Sequence, residues 1–78
     1  MYIDECRDHF VYGLRATRDE YAALRKAGYG QWTIAKMAAG DADEYALQIE
    51  ARPEDEHQHF LRGCLAAAKE VVEREMAA

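Results

Sequence analysis

Apolar positions recur at two different periods along this chain, and the change of period defines the elements the sequence predicts. Over residues 2 to 9, Ile3 and Cys6 stand one helical turn apart and lead on to Phe10 and Leu14, with Asp4, Glu5, Arg7 and Asp8 on the opposite side. That spacing predicts a helix; Phe10, Tyr12 and Leu14 also alternate around Gly13, so a strand over 10–16 is the alternative. Thr17-Arg-Asp-Glu20 has the form of a capping box and predicts the start of a separate helix running to Ala27. Arg25 and Lys26 suit the last turn of that helix, and Gly28 suits a left-handed stop.

Beyond Gly30 the period shortens. Trp32, Ile34 and Lys36 alternate, as do Tyr45, Leu47 and Ile49, with Ala39-Gly40-Asp41-Ala42 as the turn between them. Folding the two segments about that turn sets Trp32 against Ile49, Ile34 against Leu47 and Lys36 against Tyr45. This predicts an antiparallel β-hairpin with strands at about 31–38 and 44–51. The competing reading is helical, because Ala, Lys, Met, Glu, Leu and Gln are good helix formers and Asp41 could cap a second helix after a break at Gly40. After Pro53, the residues Phe60, Leu61, Cys64, Leu65, Ala68, Val71, Val72 and Met76 return to steps of three and four. They predict a long amphipathic helix at about 54–77, with Pro53 at its first position. The expected architecture is therefore α+β in one domain over 1–78, N-terminal helices and a C-terminal helix packed on a small hairpin; the alternative is an all-α bundle.

Length limits what such a fold can do. A chain of 78 residues buries only about 60–65% of its unfolded surface, so the core must be small. The large apolar set available for it is Ile3, Phe10, Val11, Leu14, Leu24, Trp32, Ile34, Met37, Leu47, Ile49, Phe60, Leu61, Leu65, Val71 and Val72. No apolar run approaches the roughly 20 residues that cross a bilayer. Two cysteines, Cys6 and Cys64, without a hydrophobic leader point to a reducing, cytoplasmic setting.

Charge changes the picture more than composition does. Residues 1–36 hold five acids and six bases, whereas residues 37–78 hold ten acids and four bases. Between Asp41 and Glu56 seven carboxylates (Asp41, Asp43, Glu44, Glu50, Glu54, Asp55, Glu56) meet one cation, Arg52. A surface of that sign repels phosphate and attracts basic partners. On a hairpin, Asp41, Asp43 and Glu44 would mark the tip and Glu54, Asp55 and Glu56 the far end, two clusters about 20–25 Å apart at 3.3 Å per residue. These six acids, with Tyr45 between them, form the predicted partner-binding set; Tyr29 and Trp32 are further candidates for an aromatic anchor.

Other chemistries find little in the sequence. Cys6, His9, His57, His59 and Cys64 include ligand types for zinc, but His57 and His59 fall on different faces of a helix and the set lacks a metal-site spacing. The chain has no glycine-rich phosphate loop, nucleophile elbow or Ser-His motif, and a hydrated run of acids does not provide a desolvated general acid. The expectation is a non-enzymatic protein without cofactor or metal.

Two resemblances follow from these residues. The segment ALRKAGYGQWTIAKMAAGDADEYAL resembles the helix-turn-helix of small DNA-binding regulators, with Gln31, Ile34, Ala35 and Gly40 at characteristic places. It has one residue more than usual between Ala35 and Gly40, and acids at Asp41, Asp43 and Glu44 where a groove-reading helix carries Arg, Lys, Asn or Ser. In size, acidity and lack of an active-site motif the chain resembles the small phage-encoded inhibitors of bacterial defence, among them the anti-CRISPR proteins, which share no residue motif. That resemblance implies a stoichiometric nucleic-acid mimic acting in the host cytoplasm. It would bind neither nucleic acid nor membrane and would block the Lys- and Arg-lined channel of a CRISPR effector. A homodimer through the apolar face of the last helix is the remaining expectation for a partner.

Overall fold

The computed structural model describes the backbone of residues 2–77 and the side chains of residues 7–76. Expectations for the Ile3 and Cys6 side chains lie outside the described residues. Three helices follow one another: α1 (Tyr2–Lys26), α2 (Gln31–Glu50) and α3 (Glu56–Ala77). The described residues contain no strand, so the α+β expectation is overturned and the protein is an all-helical bundle.

α1 is one helix where the sequence suggested two. Between Gly13 and Ala22 there is no proline and no run of turn formers, and Thr17, expected to cap a new helix, is buried in the middle of α1 instead. The Thr17 hydroxyl lies against Tyr45 and Cys64, so its polar group is satisfied across the core rather than at a helix end. The stop at Gly28 is as expected. Gly28 takes φ +103°, the Tyr29 amide donates to the Leu24 carbonyl (3.2 Å) and the Gly28 amide to the Arg25 carbonyl (3.0 Å). This is a Schellman closure, which only a residue without a Cβ adopts without strain.

The predicted hairpin is a single helix, α2, that runs uninterrupted through Gly40. Trp32 and Ile49, which the hairpin would have paired, stand about 25 Å apart along one axis at 1.5 Å per residue. The helical period prevails because alanine completes it. Ile34, Ala35, Ala38, Ala42, Tyr45 and Ile49 make a continuous inward stripe, with Ile34, Ala35 and Ala38 fully buried. Trp32, Met37 and Leu47, expected inside, face outward at 59%, 40% and 62% exposure.

α3 begins two residues later than the sequence suggested, and Pro53 lies in the preceding turn rather than in the helix. Its cap is Asp55, whose Oδ1 accepts the Gln58 amide at 2.9 Å. The buried Gln58 side chain donates through Nε2 to the carbonyls of Ile49 (3.2 Å) and Arg52 (3.4 Å). One residue thus ties the open carbonyls at the end of α2 to the start of α3.

α3 is the central element. It packs along both other helices, while α1 and α2 approach one another little. Gly13 lies by Phe60, Arg18 by Glu70 and Arg25 by Glu75, so α1 and α3 rise in the same direction with α2 antiparallel to both. Glycine permits the α1–α3 contact. A Cβ at Gly13 would stand 2.1 Å from the Phe60 carbonyl oxygen, and one at Gly63 would stand 2.0 Å from the Phe10 carbonyl oxygen. The two backbones therefore touch directly, and the close approach suggested by Gly63 is made to α1. The core beside this contact holds Tyr21, Ile34, Ala38, Ala68 and Val71, with Leu24, Ala42, Tyr45 and Val72 packed around it. The apolar face of α3, the expected homodimer seam, is packed against α1 and α2.

Candidate functional site

Helical folding sorts the predicted acidic set into three kinds. Asp41 turns inward, and its Oδ2 accepts a hydrogen bond from the Tyr21 hydroxyl at 2.7 Å. Tyr45 is half-buried against the core beside Thr17, so it provides scaffold and not an exposed anchor. Burial, reinforced for Tyr21 by the neighbouring Asp41 carboxylate, raises both phenols above the usual tyrosine range. Asp55 is half-buried and committed to capping α3, with Arg52 3.8 Å from its other oxygen.

The remaining members stay on the surface. Asp43 and Glu44 are exposed on α2, and Glu54 and Glu56 are exposed around the start of α3. Glu50, one of the seven acids of this stretch but outside the predicted binding set, is exposed as well. A helix also shortens the spacing. From Glu44 to Glu50 it rises about 9 Å, where an extended strand would cover about 20 Å. Two clusters expected at opposite ends of a hairpin are thus drawn closer together, as a band of exposed acids on the second half of α2 and around the α2–α3 turn.

Neighbouring cations leave this band largely unneutralised. Residues 31–55 contain six carboxylates against Lys36 and Arg52, whereas α1 carries five acids and five bases. Glu56 stands 3.6 Å from His9 and Glu54 3.9 Å from His59, contacts that are ionic only when the imidazoles are protonated. Glu44 accepts a hydrogen bond from Gln48, one turn along, at 3.1 Å. Tyr29 and Trp32, at 50% and 59% exposure, flank the opposite end of α2, so they and the acids share one helix but not one end of it.

Five of the ten Lys and Arg residues lie on α1, and two of those five are already occupied. Arg18 binds Glu70 through two bonds, Nε–Oε1 at 3.2 Å and Nη2–Oε2 at 2.6 Å. The hydrogen bond to Arg18 holds the Glu70 carboxyl below the usual carboxylate range. Arg25 pairs with Glu75, a carboxylate otherwise buried in the bundle.

His9 and His57 flank Glu56 beside Phe60, away from the buried Cys64. Cys64 is buried and its thiol is pushed up by burial, and among the described residues no three ligating side chains are placed to hold a metal ion. Among those residues, no helix is long and apolar enough to cross a membrane. In the segment that resembles a helix-turn-helix, Gly40 lies inside α2, and the break between helices falls at residues 27–30. No family model matches the chain, and neither the curated proteins nor the solved structures yield a match to it.

Proposed function

We propose that this protein is a non-enzymatic binder whose acidic band, Asp43, Glu44, Glu50, Glu54 and Glu56, docks on a basic surface of a nucleic-acid-binding protein and blocks it. A CRISPR effector complex is one partner of that description. The observation that carries this reading is the exposure of these five carboxylates within residues 43–56, with the lysines and arginines of α1 on a different element. Carboxylates spaced over a rigid helix can replace successive phosphates against Lys and Arg, steering encounter and excluding nucleic acid from the same groove. Asp41, Asp55 and Tyr45 belong to the scaffold in this reading, so charge reversal must avoid them. The triple change Glu44, Glu54 and Glu56→Lys replaces three negative charges by three positive ones, a net shift of six units, without touching the core or a cap. It is expected to abolish capture of a purified CRISPR effector complex while leaving the helical circular-dichroism signal intact. Unchanged capture by the folded triple variant would refute this role for the band.

A small DNA-binding regulator is the second reading, and an all-helical fold suits it better than it suits a hairpin-based mimic. Phosphate contacts would then have to come from α1, through Arg7, Arg15 and Lys26, since Arg18 and Arg25 already neutralise Glu70 and Glu75. Acids at Asp8 and Asp19 on the same helix oppose that role. Binding to duplex DNA that is lost on Arg7 and Arg15→Glu would establish it in place of the first.

A further inference from the structure

The outward face of α2 has a two-fold pattern. At 100° per residue, Trp32, Lys36, Ala39, Gly40, Asp43 and Leu47 fall on one side of the helix, opposite the stripe that enters the core. All six are exposed. Trp32 and Leu47, at 59% and 62% exposure, are large apolar groups in water at the two ends of this face. Neither Lys36 nor Asp43 is held in an ion pair among the described residues, and at Gly40 a Cβ would meet nothing within 4 Å.

Order along the face is what matters. Trp32 lies as far before the Ala39–Gly40 bond as Leu47 lies after it, and the same holds for Lys36 and Asp43. A second copy laid antiparallel and centred on that bond sets Trp32 against the partner's Leu47 and Lys36 against the partner's Asp43. The two-fold then repeats both contacts. The centre of the seam carries only small residues, Ala39 and Gly40, so the helix axes can come close. We infer that this protein forms an antiparallel homodimer through the outer face of α2. An isologous seam of this kind buries both apolar ends, pairs both lysines with carboxylates, and leaves Glu44, Glu54 and Glu56 outside. It does not rest on the proposed function. Asp43 belongs to both surfaces, and dimerisation assigns it to the seam; Glu50 lies on the same side of α2, beyond Leu47 at the rim.

Charge exchange provides the test. Sedimentation equilibrium of the wild-type protein is expected to show a reversible rise from 8.9 kDa towards twice that mass, with a dissociation constant of about 1–100 µM, as suits a small seam. Lys36→Asp sets acid against acid and Asp43→Lys sets lysine against lysine, so each variant alone is expected to weaken the dimer at least tenfold. Mixed together, the two variants are expected to form a heterodimer, and the double exchange in one chain is expected to restore the homodimer. Gly40→Leu is expected to block the seam while the monomer keeps its helical content. Because Trp32 is the sole tryptophan, its emission is expected to shift to the blue on dimerisation. A wild-type protein that remains monomeric at about 1 mM, above any affinity of this class, overturns the inference. So does a dimer indifferent to both single exchanges, since its seam would lie elsewhere.

Discussion

The Tyr21 hydroxyl donates to Asp41 across 2.7 Å, joining α1 to α2 where their backbones stay apart. This bond takes Asp41 out of the acidic surface. A phenol only 3% exposed would otherwise hold an unmatched donor in the core. Asp41→Ala is therefore expected to lower stability by about 1–3 kcal/mol in urea titration while leaving partner capture unchanged. Glu44→Ala is expected to do the reverse.

Alanine at either contact glycine should test the α1–α3 packing. In an ordinary helix interior Gly→Ala is stabilising by about 1 kcal/mol. Here the new Cβ would stand about 2 Å from a carbonyl oxygen of the other helix, and that oxygen belongs to backbone that cannot rotate away. Gly13→Ala and Gly63→Ala are expected to cost about 2 kcal/mol or more, the range of overpacked cores. Gly40→Ala, in open space on α2, should be stabilising. Chemical denaturation of the three variants measures the contrast, and equal gains at all three positions would contradict the packing.

Two ion pairs of similar appearance should differ in consequence. Glu75 is buried and depends on Arg25, so Arg25→Ala leaves a carboxylate stranded and is expected to cost about 1–3 kcal/mol. Arg18 and Glu70 meet in water at the surface, where a lost pair is largely compensated by solvent. Arg18→Ala is expected to change the urea midpoint little.

Stability should depend on pH at both extremes. Tyr21 and Tyr45 are raised in the folded state, so the native protein holds their protons more tightly than the unfolded chain does. Their contribution is complete below the unfolded tyrosine value of about 10 and is lost as pH rises beyond it. Glu70 is lowered, so its smaller contribution is present above the ordinary glutamate range and disappears as pH falls through the folded value. Thermal melts across pH, with Tyr21→Phe as the control, should show the alkaline loss reduced in that variant.

The sequence made the helical ends of this fold legible and obscured its middle. Steps of three and four from Phe60 to Met76 marked α3, and Gly28 marked the end of α1, because large apolar residues and a left-handed glycine leave strong signals. α2 buries alanine at 35 and 38 and partly at 42, residues too small to register against Trp32 and Leu47, which in fact face water. Thr17 and Glu20 match a capping box by spacing, but spacing alone cannot distinguish a helix start from a buried threonine one turn before a surface glutamate. The acidic surface was legible as charge. Its membership was not, since the inward turn of Asp41 depends on Tyr21, twenty residues away, and the commitment of Asp55 depends on where α3 begins.

Competition at a basic groove tests the central claim most directly. Wild-type protein would be titrated into a CRISPR effector complex carrying labelled target DNA, at two salt concentrations, beside the Glu44, Glu54 and Glu56→Lys variant. The wild-type chain is expected to displace the DNA, less effectively at higher salt, and the triple variant is not. If the chain itself retarded duplex DNA and left the complex loaded, the acidic band would not be a nucleic-acid mimic.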